Sequence, residues 1–166
     1  MFGIDQKLEA NKTLTVLFYN MGGMDIEAAV VRYSLIDIPK GKTAPYIEIL
    51  AEASTKDVGA SDVDLALARL LAEKFDALPE RAGKDSVLTN VRATKRILKE
   101  AVKIKEVLSA NKQSTIKIPE LLDDVTLKVV IERTELDEAA KHVYERVAEP
   151  ALEALAKAGI TSSEID

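Results

Sequence analysis

The stretch FYNMGGMDIEAAVV, residues 18–31, decides the fold, because it carries one apolar strand into a double glycine and out into a second apolar strand. LTVLFY (14–19) is a nearly continuous apolar run, which is typical of a strand covered on both faces. IEAAVVRYSLI (26–36) predicts the second strand, and APYIEILAEAS (44–54) predicts the third. Three successive strands make a meander.

The double glycine, Gly22 and Gly23, has two interpretations. Between two strands such a pair is most often only a tight turn. Successive glycines also let backbone N–H groups converge on a phosphate with no Cβ in the way. The loop taken by itself leaves both open.

The spacing of apolar residues changes from Asp62 onward to three and four, which predicts a helix that ends near Pro79. A second helix follows, with a predicted buried stripe at Val91, Thr94, Leu98, Ala101 and Leu108. Thr134 and Asp137 form a capping pair that predicts the start of one long last helix, and Gly159 is placed to end it. Two short strands are predicted between these helices, at STIKI (114–118) and VTLKVVIER (125–133).

The last seven residues, ITSSEID (160–166), look like the start of a helix. Thr161 and Glu164 have the spacing of a capping box, and Ile160 and Ile165 have that of a hydrophobic staple. We therefore expect the chain to be a segment of a longer protein. The alternative is a frayed tail that carries the capping pattern by accident.

Composition limits the class of protein. With 166 residues, 47% of them hydrophobic and 31% charged, the chain fits a globular domain with one good core. A net charge of -5 argues against a dedicated nucleic-acid binder. The absence of cysteine excludes disulfides, thiolate metal sites and a cysteine nucleophile. No apolar run approaches the roughly 18 residues of a membrane span, and no signal peptide is visible, so any address signal is expected elsewhere.

Several other motifs have simple interpretations. His142, the only histidine, is expected to be solvated or ion-paired, and ELLDD (120–124) a solvated turn, since its spacing fits no calcium loop. Asn11 begins a glycosylation sequon, NKT, which mildly favours a lumenal protein. The second helix carries a stripe of basic residues, which predicts a solvent-exposed helix face: Arg92, Lys95, Arg96, Lys99 and Lys103.

Nearly the whole chain resembles one family. The strand, glycine hairpin, strand, strand order is followed by DVGASDVD (57–64), KEAVKIKEVLSAN (99–111), IPELLDDVTLKVVIERTELDEAAK (118–141) and VAEPALEAL (147–155). This series resembles the second lobe of the nucleotide-binding domain of heat shock protein 70 chaperones. VLSAN, LLDDV and RTELDE are most similar to the large endoplasmic-reticulum members of that superfamily.

The resemblance implies a mixed α/β (α+β) fold, a fragment of an actin-like ATPase domain with a ribonuclease-H-like meander and a helical subdomain. Residues 1–54 and 125–166 would form the sheet-containing base of lobe II, and residues 55–124 its helical and β tip. The family's first phosphate loop is expected before residue 1, and its second Gly-Gly loop after Asp166. A half site should gain little stability from nucleotide, and a strand edge should be exposed.

The resemblance also assigns the glycine loop. Gly22 and Gly23 match glycines that offer backbone N–H groups to the β- and γ-phosphates. Asn20 replaces an aspartate that helps to organise Mg²⁺ and the attacking water, and an amide cannot take a proton. Met24 replaces a third glycine. Asp25 replaces a phosphate-binding threonine, and its carboxylate repels the ligand unless Mg²⁺ intervenes.

Three further residues match the nucleotide site of the family. Gly59 matches a glycine of a loop that faces the phosphates. Lys105 and Ser109 fall where the family contacts adenosine, while Val102 and Glu106 replace a glutamate and an arginine of the same set. A solvated helix lysine is the alternative for Lys105. No catalytic or metal-ligating residue is predicted.

Two functions remain open. The first is the ATP-binding domain of a large chaperone of the endoplasmic reticulum lumen. It would bind ATP or ADP with Mg²⁺, assist the folding of secretory client proteins and promote nucleotide exchange on a smaller lumenal heat shock protein 70 chaperone. The second is an interaction platform without ATP turnover, favoured by Asn20, Met24 and Asp25. Neither nucleic acid nor a membrane is expected as a partner, and this chain alone is expected to hold no nucleotide and show negligible catalysis.

Overall fold

The computed structural model describes Leu8 and residues 12–166. Asn11, the predicted glycosylation residue, lies outside the described residues. The chain divides into two compact units. The first takes in the residues up to Gly59 together with Arg146–Asp166, and the second is Ala60–Glu145.

The first unit contains the predicted meander. Strands β1 (Leu14–Met21), β2 (Asp25–Ile38) and β3 (Lys42–Lys56) form an antiparallel sheet in the order β1-β2-β3. Both ladders continue up to the glycine loop, since Met21 pairs with Ile26 and Asp25 pairs with Lys56. The loop therefore sits at the end of a fully paired part of the sheet, where its backbone is held from both sides.

Helix α5 (Glu149–Ala158) covers one face of this sheet. The shared core is built mainly from small residues, which let helix and sheet approach closely: Ala28, Val30, Ala53, Ala154 and Leu155. Gly159 ends α5 in the left-handed conformation, with φ 68°, as its position in the sequence predicts.

The tail after Gly159 adopts the predicted capping box. Thr161 and Glu164 make both reciprocal bonds around a single 3₁₀ turn, Ser162–Glu164, and Ile160 and Ile165 pack against the core beneath α5. Asp166 then lies beside β1. Its N–H donates to the Thr15 carbonyl at 3.0 Å, and its Oδ2 accepts the Thr15 N–H at 2.8 Å.

The second unit packs two helices, α1 (Ala60–Asp76) and α2 (Val91–Ala110), against each other. The first agrees with the prediction. The predicted stripe of α2 is partly wrong, because Val91 is 68% exposed and the buried residues are Ala93, Ile97, Ala101, Ile104 and Leu108. Asn90 accepts the Ala93 N–H as N-cap, so Val91 occupies the first helical position, which is solvated here.

A hairpin of β4 (Gln113–Leu122) and β5 (Val125–Glu132) completes the second unit. Its turn is the pair Asp123 and Asp124, with φ 52° and 62°, the two left-handed residues of a type I′ turn. The strand pairing places residues 125–145 in the unit of α1 and α2, whereas the predicted division put 125–166 with the sheet base.

The single long helix predicted from Thr134 is wrong. The chain forms α3 (Arg133–Ala139), α4 (Lys141–Tyr144) and α5 instead. Glu132, not Thr134, is the N-cap of α3, and its capping box is closed with Glu135. Pro150 lies in the first turn of α5, where its missing N–H costs nothing, so this residue begins a helix rather than continuing one.

Candidate functional site

The glycine loop is a compact turn between β1 and β2. The Gly22 N–H donates to the carbonyl of Asp25 at 2.9 Å, which closes the turn. A Cβ on Gly22 would overlap Oδ1 of Asp25, so the aspartate carboxylate is folded back against the glycine. Met24 is 74% exposed at the tip. Within the described residues, no hydrogen bond engages the N–H of Gly23 or Met24, so neither amide is committed to an acceptor within the chain.

Gly59 supports this loop from behind. It is buried, and a Cβ at position 59 would overlap the carbonyl of Gly23 and lie 2.7 Å from the amide nitrogen of Met24. Only glycine permits two backbone segments to approach so closely. The structure thus brings Gly59 together with the loop of Gly22 and Gly23, which lies in a distant part of the sequence.

A row of polar residues crosses the sheet next to the loop. Asn20 of β1 pairs with Glu27 of β2, and Glu27 pairs with Ser54 of β3. Directly opposed residues share one face of a sheet, so the amide, the carboxylate and the hydroxyl stand side by side. All three line a cavity of about 610 Å³ in this unit.

The sequence analysis missed Glu27 and Ser54 as site residues. Glu27 could have been found by counting across the hairpin, because a short glycine loop places it opposite Asn20. Ser54 requires the pairing of β3, whose register is not readable from local sequence. The cavity also holds Lys157 of α5, whose Nζ donates to the Glu52 carbonyl at 3.3 Å.

The two predicted adenosine residues lie on α2, in the second unit. Lys105 Nζ is 2.7 Å from Oδ1 of Asp64, and the two side chains are 29% and 16% exposed. The alternative of a solvated lysine is therefore wrong, because Lys105 is a half-buried member of an ion pair. The hydroxyl of Ser109 donates to the Glu106 carbonyl of its own helix at 2.6 Å.

Two arginines hold the β4–β5 hairpin in the second unit. Arg96, predicted as part of a wet helix face, instead donates to the carbonyls of Pro119 at 2.5 Å and Glu120 at 2.7 Å. Arg81 is 3% exposed and pairs with Asp123 of the turn, so the turn is not simply solvated as predicted. These contacts hold the hairpin to α2 and to the segment that contains Arg81.

Few of the described residues have a shifted pKa, and none belongs to a cluster that could bind a metal ion. The pKa of Glu135 is lowered, first by the Glu132 N–H that it accepts and then by Lys74 at 2.6 Å. His142 is exposed. Across Leu8 and residues 12–166, no group of three or more histidine, aspartate or glutamate side chains is arranged to hold a metal ion. No helix in the described part of the chain is long and apolar enough to cross a membrane.

A glycine hairpin joins the first two strands of the meander, with a third glycine behind it, and a unit of helices with a two-stranded hairpin accompanies the meander. This mixed α/β arrangement is consistent with a fragment of an actin-like ATPase domain. The chain belongs to the heat shock protein 70 family, since the family described as Hsp70 protein matches residues 1–166. The resemblance predicted from the sequence is confirmed.

Curated relatives give the same answer. The chain is 31% identical to hypoxia up-regulated protein 1 of Danio rerio, 32% identical to that of Xenopus laevis and 29% identical to that of Homo sapiens. Each match covers 99% of this chain. The chain spans 17% of the length of the Danio rerio and Homo sapiens proteins and 25% of the Xenopus laevis protein.

Proposed function

We propose that this chain forms part of the ATP-binding domain of a large lumenal chaperone of the heat shock protein 70 family. The observation that carries the proposal is the close approach of Gly59 to Gly23 and Met24, which leaves no room for a side chain behind the loop. Gly22, Gly23 and Gly59 thus form a backbone cradle in which a distant segment holds the loop in place. Successive glycines in such a loop can present N–H groups to a phosphate with no Cβ in the way.

The residues present fit a nucleotide with its Mg²⁺ in part. The amides of Gly23 and Met24 would donate to phosphate oxygens. The N–H of Gly22 would not, because it already donates to the Asp25 carbonyl. Glu27, beside Asn20, would accept hydrogen bonds from water bound to the metal. Bound Mg²⁺ would neutralise part of the phosphate charge. Lys105 and Ser109 would contact adenosine only after giving up part of their present bonds.

Hydrolysis should be slow. Asn20 stands where the resemblance expects an aspartate, and an amide accepts a hydrogen bond without being able to take a proton from an attacking water. We therefore propose that the protein binds nucleotide and turns it over weakly or not at all.

The second candidate function is an interaction platform that does not cycle ATP. It is favoured by the Asp25 carboxylate folded onto Gly22 and by Asp64, which neutralises Lys105. Both features weaken a nucleotide site while leaving the fold intact. Measured nucleotide binding decides between the two candidates.

The relatives' name and the family membership support a proposal for the biological setting. We propose a location in the lumen of the endoplasmic reticulum, with unfolded secretory proteins as clients and a smaller lumenal heat shock protein 70 chaperone as the partner for nucleotide exchange. The name of these relatives, hypoxia up-regulated protein 1, supports a role in the stress response.

The test is a calorimetric titration of the full-length protein with Mg-ADP and Mg-ATP, alongside a turnover assay. Gly22→Val places a branched side chain over the loop and should weaken binding by about tenfold or more, a change of about 1.4 kcal/mol. Thr43→Val, near the other end of the β2–β3 hairpin, is the matched control and should bind normally. Failure of the wild-type protein to bind either nucleotide would overturn the proposal and favour the platform.

A further inference from the structure

We infer that Asp25 is an intramolecular competitor for phosphate, and that it makes the glycine loop accept the magnesium complex of a nucleotide while rejecting the metal-free form. The inference rests on the proposed function and adds a selectivity to it. It concerns one residue, whose position is fixed by the closure of the turn.

Asp25 is anchored twice against the loop. Its backbone carbonyl accepts the Gly22 N–H at 2.9 Å, and its Oδ1 occupies the space that a Cβ of Gly22 would fill. The carboxylate is thus folded over the glycine, although Asp25 as a whole is exposed. Within the described residues, no lysine or arginine forms an ion pair with it.

This placement sets the charge of the cradle. The free amides of Gly23 and Met24 follow the glycine that the carboxylate covers, so an anion that approaches them also approaches Asp25. Two like charges that approach each other repel. Lys56, which lies directly opposite Asp25 on β3, is the nearest cation along the strand pairing, and it offsets part of this repulsion without forming an ion pair with Asp25. Glu27 lies two residues further along β2, in the polar row beside the loop, and adds a second carboxylate.

Magnesium changes the sign of this interaction. A carboxylate oxygen is a preferred Mg²⁺ ligand, directly or through a bound water, so the group that repels a bare phosphate attracts a phosphate that carries the metal. A threonine or asparagine at this position would treat the two forms of the nucleotide more nearly alike. Asp25 would therefore act as a specificity-determining residue of the loop.

The experiment measures the affinity of the full-length protein for ADP in excess Mg²⁺ and in excess chelator. The ratio of the two dissociation constants is the readout, and no turnover is needed. Asp25→Thr and Asp25→Asn should lower this ratio by about tenfold or more, chiefly by tightening the metal-free binding. Asp25→Glu keeps the charge and should keep most of the ratio. Asp37→Asn removes an exposed carboxylate at the far end of β2 and is the control.

Each outcome is decisive. An unchanged ratio in folded Asp25→Asn and Asp25→Thr proteins would overturn the inference while leaving the proposed function standing. Binding that appears only after Asp25 is replaced would also overturn the inference, since the wild-type loop would then accept neither form of the nucleotide. If no variant binds ADP under either condition, the proposed function fails and the inference fails with it. Melting curves of each variant establish that it is folded.

Discussion

Gly59 lies directly behind Gly23, so that a Cβ at position 59 would overlap the carbonyl of residue 23. Gly59→Ala must therefore push two backbone segments apart. We expect it to destabilise the chain by about 1–3 kcal/mol, the usual cost of overpacking a close contact. Urea unfolding of the wild type and the variant measures the difference.

Gly41→Ala is the informative comparison for this prediction. Nothing lies within 4 Å of a Cβ at Gly41, but its φ of 65° is unfavourable for alanine. It reports the cost of left-handed backbone alone, about 1 kcal/mol. A cost at Gly59 no larger than that at Gly41 would show that residues 23 and 24 move aside freely, and the cradle would lose its structural basis.

Sequence patterns predicted the parts of this fold that depend on local spacing. The three strands, α1, the cap at Gly159 and the box of Thr161 and Glu164 all follow from residues close together in the chain. Such signals work because the physical cause, a capping bond or an alternating face, acts over a few residues.

The parts that sequence missed depend on partners from distant segments. Glu27 and Ser54 join the site only through strand register. Buried Arg81 is paired with Asp123, which reaches it from the distant hairpin turn. The last helix was overextended because Ala140 and Ala148 have no helix-breaking side chain, although they lie at the C-cap of α3 and the N-cap of α5. The helical spacing of apolar residues continues through residues 140–148, but one continuous helix does not.

The ion pair of Lys105 and Asp64 gives a second prediction. The two side chains are 29% and 16% exposed, so their interaction is screened less than that of a fully exposed pair. A double-mutant cycle with Lys105→Met and Asp64→Asn should yield a coupling of about 1 kcal/mol in unfolding free energy.

The control cycle uses Lys103 and Glu100 on the same helix, whose 2.9 Å pair has one largely exposed member. Its coupling should be smaller, about 0.3–0.5 kcal/mol. Equal couplings in the two cycles would contradict a special role for the Lys105 pair.

Arg81 and Asp123 give a third prediction. The guanidinium is 2% exposed, lies 5.2 Å above the Phe75 ring and pairs with Asp123. Asp123→Asn retains a residue that tolerates the left-handed turn but removes the charge that Arg81 requires. We expect a loss of about 1–3 kcal/mol in unfolding free energy, since a buried cation loses one of its two carboxylate partners and keeps only Asp76, at 3.7 Å.

Asp124→Asn is the matched control for that change. Asp124 has the same turn conformation, with φ 62°, and makes no ion pair within the described residues. Its substitution should be close to neutral. Equal losses at both positions would assign the effect to the turn itself rather than to Arg81.

Glu135 gives a prediction about pH. Its pKa is lowered because its carboxylate accepts the Glu132 N–H at 2.9 Å and pairs with Lys74 at 2.6 Å. A carboxyl whose pKa is lower in the folded state contributes stability above its unfolded pKa, roughly 4.3. That contribution is lost as the pH falls through the lower pKa of the folded state.

Glu135→Gln tests this prediction, because it keeps the acceptor of the capping box but removes the titrating group. The unfolding free energy of the variant should fall less than that of the wild type between pH 5 and pH 3, roughly the range in which a glutamate titrates. Glu138→Gln, at an exposed residue of the same helix, should follow the wild-type curve. Parallel curves for Glu135→Gln and the wild type would show that Glu135 does not carry this part of the acid sensitivity.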